Sequence, residues 1–269
     1  MNTINKTFCA GFRLALPALI LVASQTTVAQ TAKPMAAASA MTSSVDASNY
    51  MRASALIGKN VLDADNKNIG EINDMVIDLT TGEVRYVMFE YDPSLFKTGK
   101  VYAVPMKSLT LTADGKSLAY LGVSRQQLDR VATDRKDWKA ALANTRYLDL
   151  VDTAYGVKRE NVNANLQRAS DLIGRDVNSR AGKDIGDIKE LIVDMRTSKV
   201  QYAVLAFDPS IFSAEKMFAF SMTAFKSGKD RDHLMLDVDR QRLEAMKSFD
   251  EKMWTLATDI RTIEVNTLP

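Results

Sequence analysis

Histidine and cysteine are almost absent from this sequence: His233 and Cys9 are the single examples in 269 residues. A Ser-His or Cys-His nucleophile needs a base beside it, so one histidine leaves such chemistry almost no raw material. Metal sites built from imidazole and thiolate are short of ligands for the same reason. No Gly-x-Ser-x-Gly, glycine-rich phosphate loop or dinucleotide fingerprint occurs. No basic run is interleaved with aromatics, so the electrostatic footprint of a nucleic-acid binder is missing as well. Long apolar runs are also lacking: Leu14 to Ala23 is broken by Pro17 and falls far short of the roughly 20 residues that span a bilayer. These absences predict no catalytic residues, no cofactor, no metal, no nucleic-acid partner and no transmembrane helix in the mature chain.

What the first residues do contain is a short basic region (Lys6, Arg13), the apolar run, and small residues around Thr27 and Ala29. That order is expected of a cleavable signal peptide over residues 1–29, which predicts a periplasmic or secreted protein. Cys9 precedes the apolar run, so the mature chain is expected to lack cysteine and to rely on packing alone. The formal charge of +2 also belongs to the leader, because removing Lys6 and Arg13 takes away no acid. Residues 30–52, rich in Ala, Ser and Thr, are expected to be a disordered spacer.

From there the chain says nearly the same thing twice. Ile69 to Tyr91 recurs as Ile185 to Phe207, and Ala53-Ser54-x-Leu56-Ile57-Gly58 recurs as Ala169-Ser170-x-Leu172-Ile173-Gly174. The register holds without a gap to Phe96 and Phe212, then returns at Arg125 and Arg240 and at Trp138 and Trp254. Even Arg146 to Leu150 corresponds to Arg261 to Val265. A unit of about a hundred residues is domain-sized and too long for a solenoid repeat. Two tandem domains are therefore expected, over 53–150 and 169–269, joined by a polar linker at 151–168.

Within a unit, Ile69 to Leu79 and Val84 to Tyr91 form a β-hairpin, flanked by short strands with turn signals between them. Met75, Ile77 and Leu79 alternate, whereas Ile69, Ile72 and Met75 are three apart, which no flat strand can place on one face. A bulge or strong coil near Asn73 reconciles the two spacings. The return strand is apolar on both faces, Tyr86 and Met88 against Val87 and Phe89, as expected when a small closed sheet is covered from outside. A helix beginning at Ser124 or Asp239, both good N-caps, supplies Leu128 and Val131 or Leu243 and Met246 as that cover.

The run Leu-Ile-Gly-x-x-Val, then x-Ile-Gly-x-Ile, then a hydrophobic pair with Asp, then Val-x-Tyr resembles the PRC-barrel family, a β-barrel module that takes its name from the photosynthetic reaction centre, whose H subunit contains it. The pattern occupies Leu56 to Tyr91 and again Leu172 to Phe207. The resemblance implies a mainly β fold of two tandem small β-barrels, each with a short C-terminal helix, and a module that docks onto a protein or membrane complex. It brings no catalytic residues to transfer. Two of the differences between the copies bear on backbone conformation: Asn66 stands against Gly182, and Ser198 against Gly82. Asn tolerates a left-handed backbone; Ser does so less readily, which leaves room for a different turn after Met195.

The remaining candidates have simple structural readings. Asp63-Ala-Asp65-Asn66-Lys67-Asn68 lacks the glycine and the final glutamate of a calcium loop and reads as a polar hairpin tip. Asp78 and Asp194 each end a strand and can accept hydrogen bonds from the following turn. His233 sits in a charged loop, and Trp138 and Trp254 are placed to seal the sheet. Asp92-Pro-Ser-Leu-Phe96 and Asp208-Pro-Ser-Ile-Phe212 offer Phe96 and Phe212 as paired partner-binding anchors, since aromatics dominate interface energetics. The expected function is an exported, non-enzymatic protein-binding or assembly module at the cell envelope. The alternative is a periplasmic hydrolase or small-ligand-binding protein that uses acidic residues between the barrels.

Overall fold

A computed structural model describes residues 49–91, 99–120, 125–157, 165–207, 215–228, 232–250 and 263–268. Residues 1–48, Phe96, Phe212 and Trp254 lie outside the described residues.

In the first repeat the elements are β1 (Tyr50–Arg52), α1 (Ala53–Leu56), β2 (Asn60–Leu62), β3 (Asn68–Asp78), β4 (Val84–Tyr91), β5 (Lys100–Pro105), β6 (Leu109–Leu111), β7 (Leu118–Tyr120), α2 (Arg125–Arg130), β8 (Ala132–Asp134), α3 (Trp138–Leu142) and α4 (Thr145–Ala154). The second has β9 (Leu166–Arg168), α5 (Ala169–Leu172), β10 (Asp176–Ser179), β11 (Asp184–Asp194), β12 (Lys199–Phe207), β13 (Lys216–Phe220), β14 (Phe225–Ser227), β15 (Leu234–Leu236), α6 (Arg240–Ala245) and β16 (Val265–Asn266). The fold is mainly β, in two eight-stranded sheets, ordered β6-β7-β2-β3-β4-β5-β8 and β14-β15-β10-β11-β12-β13-β16.

The eighth strand of each sheet comes from the other repeat. β1 pairs antiparallel with β11, Tyr50 opposite Asp194, and β9 pairs antiparallel with β3, Leu166 opposite Asp78. The sequence reading placed Tyr50–Arg52 in the spacer and Leu166–Arg168 in the linker; both are strands. Three residues are too few for alternation to show, and their pairing edges lie in the other copy. The linker's first residues also belong to α4, where Asp152 is buried and accepts the Tyr86 hydroxyl at 2.6 Å.

The expected bulge is present in both copies. The β3–β4 register slips between Ile72 and Asp74, and the β11–β12 register slips between Ile188 and Glu190. The slip turns Ile69, Ile72, Met75, Ile77 and Leu79 to one side, where all are buried in the main core. That core also contains Val87, Phe89 and Tyr102 of the first repeat and Leu191, Leu205, Phe207 and Phe218 of the second. One continuous cluster therefore serves both repeats, where the sequence led us to expect a separate core in each.

The turns after the long strands match. Gly82 has φ 70° and Ser198 φ 56°, so Ser198 adopts the left-handed backbone after all. A reciprocal pair of backbone hydrogen bonds accompanies it: Val84 N–H donates to the Ser198 carbonyl and Val200 N–H to the Gly82 carbonyl, each at 2.8 Å. In the Ile-Gly pair of β11, a Cβ on Gly186 would sit 1.9 Å from the Ala206 carbonyl oxygen, so only glycine fits there.

Outside the main core the repeats part company. Tyr86 and Met88 of β4 are covered by Val131, Trp138, Leu148 and Val151, from the end of α2 through α4. Tyr202 and Val204 of β12 are covered instead by Phe249, Ile263 and Val265. Leu150 of α4 and Val265 of β16, which the letters align, thus lie in a helix and in a strand. Asn144 caps α4 by accepting from Arg146 N–H, while Ile263 and Val265 are β-branched and favour an extended chain. Leu128 and Leu243 reach the main core, and Asp239 caps α6 as expected, accepting from Arg242 N–H at 2.8 Å.

Candidate functional site

The buried polar chemistry of the molecule is concentrated where the repeats exchange strands. Each bulge turns an acidic side chain inward, Asp74 on β3 and Glu190 on β11, and both are nearly inaccessible to solvent. A buried carboxylate must find donors, and each finds them in the other repeat. Asp74 accepts from Ser170 N–H at 3.2 Å and from Ser170 Oγ at 2.5 Å, at the start of α5. Glu190 accepts from Ser54 N–H at 3.2 Å and from the Ser54 hydroxyl, at the start of α1. Each carboxylate also takes the next backbone N–H of its own strand, Met75 at 2.8 Å and Leu191 at 2.9 Å.

On the first-repeat side a cation joins the set. Arg168 lies 3.6 Å from Asp74, pairs with Asp171, and stacks its guanidinium 5.3 Å above the Trp138 ring. A second-repeat strand residue is thereby tied to the cover of the first sheet. Charge-assisted hydrogen bonds of this kind contribute roughly 1.5–3 kcal/mol each when buried.

The acids singled out from the sequence take turn positions. Asp78 Oδ1 accepts from Thr80 N–H at 2.9 Å, and Asp194 Oδ1 from Arg196 N–H at 2.9 Å. Asp63 accepts from the N–H groups of Asp65 and Lys67, each at 2.9 Å, and so closes a hairpin tip. His233 is half-buried, its ring lying where a Cβ on Gly228 would project. Trp138 is buried in the cover. Among the described residues no three His, Cys, Asp or Glu side chains are grouped to hold a metal, and no helix is long and apolar enough to cross a membrane. Phe96 and Phe212 lie outside the described residues.

Sequence reasoning missed Asp74 and Glu190. Their signal was present: an acid at an otherwise apolar stretch of strand, at the same place in both copies, one residue after the expected bulge. Sequence reasoning also missed Glu90, a buried carboxylate on β4 that meets Arg135 at 2.9 Å and whose place in the second repeat is taken by Ala206. Burial pushes the phenols of Tyr147, on α4, and Tyr155, its C-cap, well above their usual range.

Two grooves open on the surface. One, of about 920 Å³, runs between β1 and the β6–β7 hairpin; the other, of about 720 Å³, lies between the β14–β15 hairpin and residues 265–268. Apolar side chains and a few polar groups line both, the composition of a binding surface.

Residues 48–119 and 165–241 match the family model described as PRC-barrel domain, and together they make up more than half of the chain. No curated protein matches it.

Proposed function

We propose that this chain, which belongs to the PRC-barrel family, is a non-enzymatic docking or assembly module exported to the cell envelope. The family is generally a non-catalytic module and often mediates protein interactions. The observation that carries the reading is the commitment of the acids between the repeats. Asp74 and Glu190, the raw material for a carboxylate hydrolase at that place, spend their oxygens on Ser170, Ser54 and backbone N–H groups. Acids so occupied and so buried are poorly placed to meet a substrate as general acid or base. Export rests on the basic, apolar and small-residue order of residues 1–29.

The test is affinity capture from envelope extract with the tagged full chain, competed by untagged chain. A protein or membrane complex retained specifically, on a bait whose N-terminus lies near Gln30 by mass spectrometry, supports the proposal. Turnover of a glycan or ester library by the purified chain would overturn it.

A further inference from the structure

We infer that the groove between β1 and β6 takes an extended acidic peptide as an added β-strand. The inference deepens the docking reading and rests on it. Two strands line this groove with an edge to spare. β6 ends the strand path of the first sheet, and β1 pairs with β11 alone among the described residues. A guest strand lying between them can bond to both, which joins the sheets of the two repeats through the ligand. Unpaired edges are a hazard that proteins cover or blunt, and an extended partner is what such an edge fits.

The corresponding strands of the second repeat are tied to each other. There Asn165, just before β9, donates its side-chain amide to Ser227 Oγ on β14 at 2.7 Å, tying the two strands together. In the first repeat Asn49 stands in the place of Asn165, but Leu111 replaces Ser227 and has no acceptor to offer. One leucine thus leaves out a tie that its copy makes. Met51, Leu109 and Met195 continue the apolar lining.

Charge selects the guest. Lys107 and Arg196 flank the groove, both exposed and with no ion pair among the described residues. The one acid in the lining, Asp114, is engaged in its own turn, accepting from Thr112 Oγ1 at 2.7 Å and Lys116 N–H at 3.1 Å. The Thr112 hydroxyl, first among its neighbours, holds that carboxyl below the usual range. The groove volume, about 920 Å³, suits a short peptide segment.

The test uses the mature full chain with two fluorescein-labelled peptides, Glu-Val-Thr-Val-Glu and Lys-Val-Thr-Val-Lys, followed by fluorescence polarisation at low salt. The acidic peptide is expected to bind and the basic one is not. Lys107→Glu combined with Arg196→Glu should weaken the acidic peptide by about tenfold or more. Leu111→Ser should abolish binding by letting Asn49 tie across the groove as Asn165 ties to Ser227. Hydrogen exchange should slow at Tyr50–Arg52 and Leu109–Leu111 when the peptide binds. Absence of binding, equal binding of both peptides, or protection elsewhere alone overturns the inference. Binding that emerges only after residues 30–48 are deleted overturns it too, because the chain's own preceding segment is then the occupant. A charge-reversed chain that still captures its envelope partner ends the groove assignment and leaves the docking reading standing; glycan or ester turnover ends the docking reading whatever the groove does.

Discussion

Where the two repeats meet, their main contacts come in matched pairs, whereas on their outer faces they are built from different elements. At the seam β1 on β11 mirrors β9 on β3, Ser54 on Glu190 mirrors Ser170 on Asp74, and Val84 on Ser198 mirrors Val200 on Gly82. Outside, helices cover the first sheet, and Phe249 with β16 covers the second. A reciprocal contact constrains both copies at once, since each supplies the donor in one half and the acceptor in the other. A cover has only to exclude water from an apolar face, and many shapes do that. Divergence has gone where the physics is least particular.

The largest effect should come from the cover that depends on one large side chain. Trp138→Ala removes a buried ring from under Arg168 and should cost about 3–5 kcal/mol, read as a lowered denaturation midpoint. Phe249→Ala, in the partly buried counterpart, should cost less. Equal losses would show that the two covers are equivalent in energy despite their difference in form.

The seam should be next. Asp74→Ala leaves Ser170 and Arg168 without their shared acceptor, and Glu190→Ala does the same to Ser54; each should cost roughly 2–3 kcal/mol. Asp74 with Ser170 should be non-additive in a double-mutant cycle, and Asp74 with Ser54 additive, since only the first pair touches. A protease site placed within 158–164 sharpens the point. After cutting, the wild-type halves should co-elute as one complex, held by exchanged strands and a common core. Two folded halves eluting apart would restore self-contained domains.

Much of this was legible in the sequence and some of it could not have been. The hairpin, its bulge at Asn73 and the helix cap at Asp239 follow from alternation, spacing and residue type, which are local quantities. The exchange of β1 and β9 is not local. Ala53-Ser54 and Ala169-Ser170 read alike, so the letters do not say which copy of the long strand each arm joins. Asp74 and Glu190 were visible as acids in an apolar stretch, yet their partners lie 96 and 136 residues away. In the covers the alignment itself misled, because it matched Leu150 of a helix with Val265 of a strand.

The smallest effect tests whether divergence reaches the charges as well. In the second repeat Asp187 stands near Glu215, Asp176 and Asp184; in the first, the corresponding positions of those three are Gly99, Asn60 and Asn68. Burial, then the Glu215 charge, pushes the Asp187 carboxyl above its usual value, and Lys189 only partly offsets this. A raised carboxyl binds its proton more tightly in the folded chain than in the unfolded one. The folded state is therefore favoured below the ordinary carboxylate value of 3.8, and that advantage is lost as pH rises through the raised one. Asp187→Asn should accordingly raise the melting temperature at pH 7, by an amount worth less than about 1 kcal/mol because the site is partly exposed to solvent. The gain should shrink as the pH falls and vanish once the wild-type carboxyl is protonated in both states. Melting curves of the two chains across that range decide it, and a variant that melts lower at neutral pH would show that Lys189 outweighs the crowding of like charges.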